Sequence, residues 1–254
     1  MQESWLTPDW PAPPNVRALC SLRAGGVSQG PYESLNLGDH VGDDAAAVRE
    51  NRARFAARLQ SRPVFLQQVH GTGVVELKAA TPDATSADAC WTRERGVACT
   101  IMVADCLPIL FADREGQSVA AAHAGWRGLA GGVIEAAWNA FAQSLGVTKA
   151  EALERTLVWL GPCIGPAAFE VGDDVRQAFG AEAAVAGRFQ PHSPGKWLAN
   201  LPRLTRDRLA AIGIEQVHGN DGGADWCTVS NPSRFFSHRR DRVSGRFAAA
   251  AWLA

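Results

Sequence analysis

Residues 118–146, SVAAAHAGWRGLAGGVIEAAWNAFAQSLG, open on a short apolar run that stops at a histidine. SVAAAH (118–123) is too short for a helix and is bounded by turn residues, so it predicts a buried strand. A turn, Ala124-Gly125-Trp126-Arg127-Gly128, follows at once. GLAGGVIEAAWNAFAQSLG (128–146) then predicts one long helix ending at Gly146. Outward from this unit, VRALCSL (16–22), VFLQQVH (64–70), CTIMVA (99–104), LPILFAD (107–113), TLVWL (156–160) and GRFAAAAWL (245–253) predict strands. Three further helices are expected over 43–59, with an acidic start and arginines toward its end, 171–180 and 201–213. Several strands follow one another directly and the helices are few. That order favours mixed sheets covered by helices, within the α/β class, over a doubly wound parallel sheet.

The 254 residues are read as one domain over 1–254, with the proline-rich 1–15 as a surface arm. Apolar residues make up 46% and charged residues 20%, with a net charge of -1. Nothing there draws the chain to nucleic acid or to an anionic membrane, and no stretch approaches the roughly 20 apolar residues of a membrane helix. The opening MQESWLTPDWPAPP lacks the basic and apolar regions of a secretory signal, so a cytoplasmic protein is expected. Six cysteines without a CxxC pair read as reduced thiols. A monomer is the simplest expectation.

Three apolar runs end on metal-ligand side chains: QQVHG supplies His70, VADCLP supplies Cys106 and AAHAGWRG supplies His123. Two imidazoles and a thiolate make an open zinc site, with one zinc per chain and the fourth position free for water or substrate. The spacing, 36 and 17 residues, is not that of a zinc finger. The same residues also serve a cysteine nucleophile, Cys106, with a histidine base and Asp105 as orienting carboxylate. They serve equally as satisfied polar residues and a core thiol, with zinc at most structural. Copper is a further option, given Met102 four residues before Cys106. Six histidines and no HxH pair, however, cannot build the trinuclear cluster of a laccase.

Anion-handling groups are expected nearby. Arg127 sits between two glycines where strand becomes helix, a place suited to phosphate. Ser237 and Arg239 belong to FFSHRRD, where arginines stand beside phenylalanines. Arg23 and Asn36 lie in the long glycine-containing stretch 23–43. Cys163, in GPCIGP, and Glu170 are further candidates for the pocket wall.

Together SLNLGDHVGDD, QQVHG, ADCLPIL, AAHAGWRG, LGPCIGPAAFEVG and FFSHRRD…GRFAAAAWL resemble, in order, the blocks of the YfiH family. That family is also labelled multicopper polyphenol oxidase or laccase-like, and peptidoglycan editing factor. The resemblance implies a four-layer α/β/β/α sandwich, similar to a cysteine-hydrolase-like toxin fold. It implies one zinc on His70, Cys106 and His123, and purine nucleosides and phosphate as partners. The implied activities are purine nucleoside phosphorolysis, including methylthioadenosine cleavage, and adenosine deamination. An amidase role editing L-serine-containing peptidoglycan precursors and a copper-dependent phenol oxidation are also attached to the family. On this basis Asp105, or in its place Glu170, is expected to move protons, and Arg127, aided by Arg239, to bind phosphate beside the metal. The chain departs from the family at Asn200, where an aspartate is usual, and at Cys90-Trp91, where aliphatic residues are more frequent.

Overall fold

The structure, a computed structural model, describes residues 4–254. Two mixed sheets form its centre. One has six strands, in spatial order Val217–Gly219, Thr156–Leu160, Leu107–Asp113, Val119–Ala124, Ala89–Thr92 and Val74–Glu76. The other has five: Trp5–Leu6, Val16–Ser21, Phe247–Leu253, Val97–Val103 and Arg62–Phe65. Antiparallel pairs occupy the middle of each sheet and parallel pairs lie at edges, so the sheets are mixed as expected. A small three-stranded sheet, Glu170–Gly172, Lys196–Ala199 and Phe189–Ser193, stands apart.

The strand period of two sorts side chains into layers. Along Val119–Ala124, Val119 and Ala121 enter the core shared by both sheets, with Leu110, Trp159, Ile101 and Phe247. Ala120, Ala122 and Ala124 face the other way, under the helix Val133–Leu145, which buries Ile134, Trp138 and Phe141 there. On the far side of the five-stranded sheet, Phe55 and Leu59 of the helix Ala45–Leu59 pack with Leu19, Met102 and Trp252. The layers are therefore α/β/β/α. No helix among the described residues is long and apolar enough to cross a membrane.

Several boundaries differ from expectation. The helix read over 128–146 is two helices, Trp126–Gly131 and Val133–Leu145. Gly132, at φ +98°, ends the first by a left-handed turn that other residue types rarely adopt. The strand read over 64–70 stops at Phe65, and residues 66–70 leave the sheet. Gln68 stands in for the missing strand: its side-chain amide donates to Met102 O at 2.8 Å and accepts from Met102 N at 2.9 Å. The acidic start of the first helix is its cap, Asp44 accepting from Ala47 N at 2.8 Å. Within the expected arm, Trp5 and Leu6 pair with Ser21 and Cys20. Asn200 caps the helix Leu201–Ile212, its Oδ1 accepting from Arg203 N at 3.0 Å, a task that aspartate performs equally well.

Candidate metal centre and its cavity

His123 shares the parity of Val119 and Ala121, so it projects to the inter-sheet side of the final rungs of its strand. There the core opens into a cavity of about 890 Å³. Cys106, immediately before the strand Leu107–Asp113, and His70, on the excursion after Phe65, reach the same place. One ligand atom from each of the three lies within 4.8 Å of the others. Cys106 Sγ stands 3.8 Å from His70 Nε2, and the two imidazoles meet edge to face at 4.7 Å.

A fourth residue, Asp88, organises the cluster from beneath. Its carboxylate is fully buried and accepts the backbone N–H groups of Val69 (3.2 Å), His70 (2.9 Å) and Gly71 (2.7 Å). It also lies 2.9 Å from His123 Nδ1. That contact turns His123 Nε2 toward the cluster, the arrangement in which a carboxylate fixes a histidine ligand. The same carboxylate holds His70 at φ +60°, a left-handed conformation unusual for a non-glycine residue. Gly125 then leaves the space the ligands need: a Cβ there would stand 2.8 Å from His70 Cδ2 and 3.0 Å from Cys106 Sγ.

The electrostatics follow the geometry. Burial alone would lift the Asp88 carboxyl, but His123 and the backbone donors outweigh it and hold it below the usual carboxylate range. Burial would likewise raise the Cys106 thiol; the imidazoles of His123 and His70 bring it down to about 6 instead. His123 moves the opposite way, up to about 9, because Cys106 and Asp88 overcome its own burial. Without a metal, the cluster favours a thiolate beside an imidazolium.

Asp105, also at a left-handed φ of +94°, lies on the cavity wall. Both its oxygens are taken: Thr228 Oγ1 donates to one at 2.6 Å and Arg239 N to the other at 2.6 Å. Arg239 lines the cavity too, its Nη1 on Glu170 O at 2.9 Å and its guanidinium 5.5 Å from the Phe169 ring.

The remaining expected site residues stand elsewhere. Arg127 is exposed, folded over its own Trp126 ring at 4.2 Å and off the cavity wall, because its short helix points it to solvent. Arg23 pins loops, donating to Glu33 O at 2.6 Å and Pro232 O at 3.4 Å. Asn36 is buried and bonds Gly38 and Asp43. Ser237 is the buried cap of the turn of helix His238–Asp241, accepting from Arg240 N at 3.2 Å. Burial pushes the Cys163 thiol well above its ordinary value, and that residue does not border the cavity. The Glu170 carboxylate faces His192 at the surface, 3.5 Å away. Asp88 and Thr228 are the site residues the sequence did not give up. SADAC did hold a signal, an acid at the mouth of an apolar run, but aspartate there also reads as an ordinary turn residue.

The donor set suits zinc. His70, Cys106 and His123 would hold it through two imidazole nitrogens and a thiolate that already lie within 4.8 Å of one another, and Gly125 keeps the approach clear. Met102, the axial candidate for copper, packs under the helix Ala45–Leu59 with its sulfur 3.9 Å from Arg52 Nη2.

A four-layer α/β/β/α domain that presents a histidine–cysteine–histidine cluster in an arginine-lined cavity is a recognisable class of protein, and comparison with known proteins places this chain in it. Residues 17–254 match the family described as multi-copper polyphenol oxidoreductase laccase, and the chain belongs to that family, the YfiH family. It is 56% identical to the purine nucleoside phosphorylase of Pseudomonas aeruginosa, over 98% of both chains. To the purine nucleoside phosphorylase YfiH of Escherichia coli it is 47% identical, again over 98% of both. A solved protein of Neisseria meningitidis superposes with a TM-score of 0.90 at 45% identity, over 99% of both chains.

Proposed function

We propose that this chain is a zinc-dependent purine nucleoside phosphorylase. The observation that carries the proposal is the shared cavity: the His70–Cys106–His123 cluster opens into a space whose charged lining is four arginines against two aspartates. Relatives at 47% and 56% identity that bear the phosphorylase name support it. Bound zinc supplies Lewis acidity at a position left open to water or substrate. The protein's own groups do the rest. Phe169 and Phe65 give the cavity apolar faces for a purine ring. Arg239, anchored through its backbone by Asp105, adds positive charge to the wall along which phosphate would approach the ribose C1′; as that C–O bond forms, the C1′–N bond to the purine breaks and its electron pair leaves with the base. We assign Asp105 to holding Arg239 in place rather than to moving a proton, since both its oxygens are engaged. Deamination of adenosine by the same cavity asks for a free carboxylate as proton shuttle. The lining acids are Asp105 and Asp39, and Asp39 is paired with Arg52 at 3.1 Å. Phosphorolysis is the better-supported reaction.

The test is inosine or adenosine turnover by zinc-loaded protein, with and without phosphate, read by chromatography. Free base and ribose phosphate, formed only with phosphate, are expected, with about one zinc per chain that the His123→Ala variant lacks. Phosphate-independent conversion of adenosine to inosine would replace phosphorolysis by deamination. A second reading has its own observation: Cys106, His123 and Asp88 form a thiol–imidazole–carboxylate chain of the kind cysteine hydrolases use. Amidase activity on a serine-containing cell-wall precursor, retained without metal and abolished by iodoacetamide, would establish it. Copper at near one equivalent, with phenol oxidation, would restore the oxidase label.

A further inference from the structure

The stretch SLNLGDH, residues 34–40, and the arginine of SGRF, residues 244–247, have no part in the metal cluster. The structure joins them to each other. Asn36 Oδ1 accepts the backbone N–H of Arg246 at 2.8 Å, and Leu37 N donates to Arg246 O at 2.9 Å. A Cβ on Gly38 would stand 2.8 Å from Arg246 Cγ, so this glycine makes room for the arginine's aliphatic stem. Arg246 is thereby clamped along both backbone and side chain.

Its charge is left unanswered. Nη1 donates only to the carbonyls of Ser244 and Gly245, at 2.9 and 3.0 Å. Among the described residues no carboxylate stands within ion-pair distance of it. The other cavity arginines differ: Arg52 pairs with Asp39 and stacks on Phe65 at 4.1 Å, Arg239 is tied to Glu170 O and Phe169, and Arg242 is exposed. Arg246 is half-buried, and burial draws its pKa down while Cys106, Asp105 and Tyr32 act in the opposite sense. A half-buried cation on a cavity wall whose side-chain hydrogen bonds go only to neutral carbonyls, with no carboxylate paired to it, is matched by an anionic ligand.

We propose that Arg246 is the anion-receiving group of this cavity and that its ligand is a phosphate group, gripped by the guanidinium fork in the space shared with His70, Cys106 and His123. The choice of phosphate rests on the phosphorolytic reading; the assignment of Arg246 rests on its own geometry. Phosphate chemistry has two sources, inorganic phosphate and the phosphoryl group of a nucleotide.

Calorimetric titration of the zinc-loaded chain in phosphate-free buffer tests this, with inorganic phosphate, a purine nucleoside 5′-monophosphate and the parent nucleoside as separate probes. Wild type is expected to bind phosphate, and Arg246→Gln to weaken that binding roughly ten- to a hundredfold while nucleoside affinity stays unchanged. Arg246→Lys returns the charge without the fork and recovers part of the loss. Gly38→Ala keeps the charge but displaces the stem, so it should weaken phosphate binding even if Arg246→Gln proves unstable. Monophosphate binding alone, lost in Arg246→Gln, supports Arg246 and identifies the nucleotide as the source. Unchanged affinity in the folded variants, or a wild type that binds neither anion, overturns the proposal. A chain that binds phosphate through Arg246 yet releases no base refutes phosphorolysis and leaves Arg246 standing. Phosphorolysis undiminished in Arg246→Gln does the reverse.

Discussion

The strand Leu107–Asp113 carries a polar cluster at each end, and the two are built to opposite plans. At its last residue Asp113 is fully buried and receives Arg155 Nε and Nη2 at 2.8 Å each. Gln117 N adds a bond at 2.9 Å, and Glu115 and Glu151 lie within 3.4 Å of Arg155 Nη1. Every strong donor and acceptor there has a partner. Just before its first residue, Cys106 meets His123 and an exposed His70, and the group faces a cavity. The closed cluster has nothing left to offer a ligand. The open one has its supporting bonds on one side only, through Asp88, and presents the other side to whatever enters. Satisfaction of hydrogen bonds, rather than the presence of charge, separates a structural cluster from a functional one.

Arg155→Ala should produce the largest effect on folding. It strands a buried carboxylate and should cost about 3–5 kcal/mol in urea denaturation, with zinc stoichiometry unchanged. Loss of zinc in that variant would break the contrast between the two ends. The pair also sets an acid dependence. Arg155 and backbone donors hold the Asp113 carboxyl below its ordinary value against its burial, so the unfolded chain takes up the proton first. Its stabilisation is present above the ordinary carboxylate range and is lost as pH falls below about 4. The difference in stability between wild type and Arg155→Ala should shrink over that interval.

Gly125→Ala is the converse experiment. Its backbone, at φ -71°, accepts alanine, but the new methyl group intrudes on His70 and Cys106. Zinc affinity should fall roughly a hundredfold, about 2.7 kcal/mol, in a chelator competition, while the urea midpoint barely moves. Asp88→Asn should follow, weakening zinc about ten- to a hundredfold. An affinity equal to wild type would show that His70 and His123 orient themselves without it. Smallest is Asn200: Asn200→Asp should be neutral within a few tenths of a kcal/mol and Asn200→Ala should cost about 1 kcal/mol by thermal melting, neither touching the metal.

The buried strands were readable because their surroundings are uniform. LPILFAD and TLVWL coincide with Leu107–Asp113 and Thr156–Leu160, whose residues are buried throughout. Where one residue changes the path, pattern fails. Gly132 breaks a helix whose apolar period continues through it, and nothing but its left-handed torsion marks the break. The helix Lys149–Arg155 went unread although Thr148 and Glu151 form its capping pair, Glu151 N donating to Thr148 Oγ1 at 3.2 Å. Seven residues are too few for a period to show. At the site, His70, Cys106 and His123 were legible because their residue types are chemically distinctive. Asp88 was not, since its importance lies in four bonds to groups 17 or more positions away. Arg127 misled for the opposite reason: the glycines around it serve its neighbours, Gly125 clearing space for the ligands.

Gln68 has a consequence beyond filling the gap left by the strand. Arg62–Phe65 is an edge strand, and where it stops, the Met102 rung would present bare amide and carbonyl groups to any extended chain that drifted past. By covering that rung with its own amide, Gln68 lets the main chain turn aside to carry a ligand without leaving a sticky border behind. One side chain thus both frees the segment that carries His70 and keeps a rung of the sheet border covered.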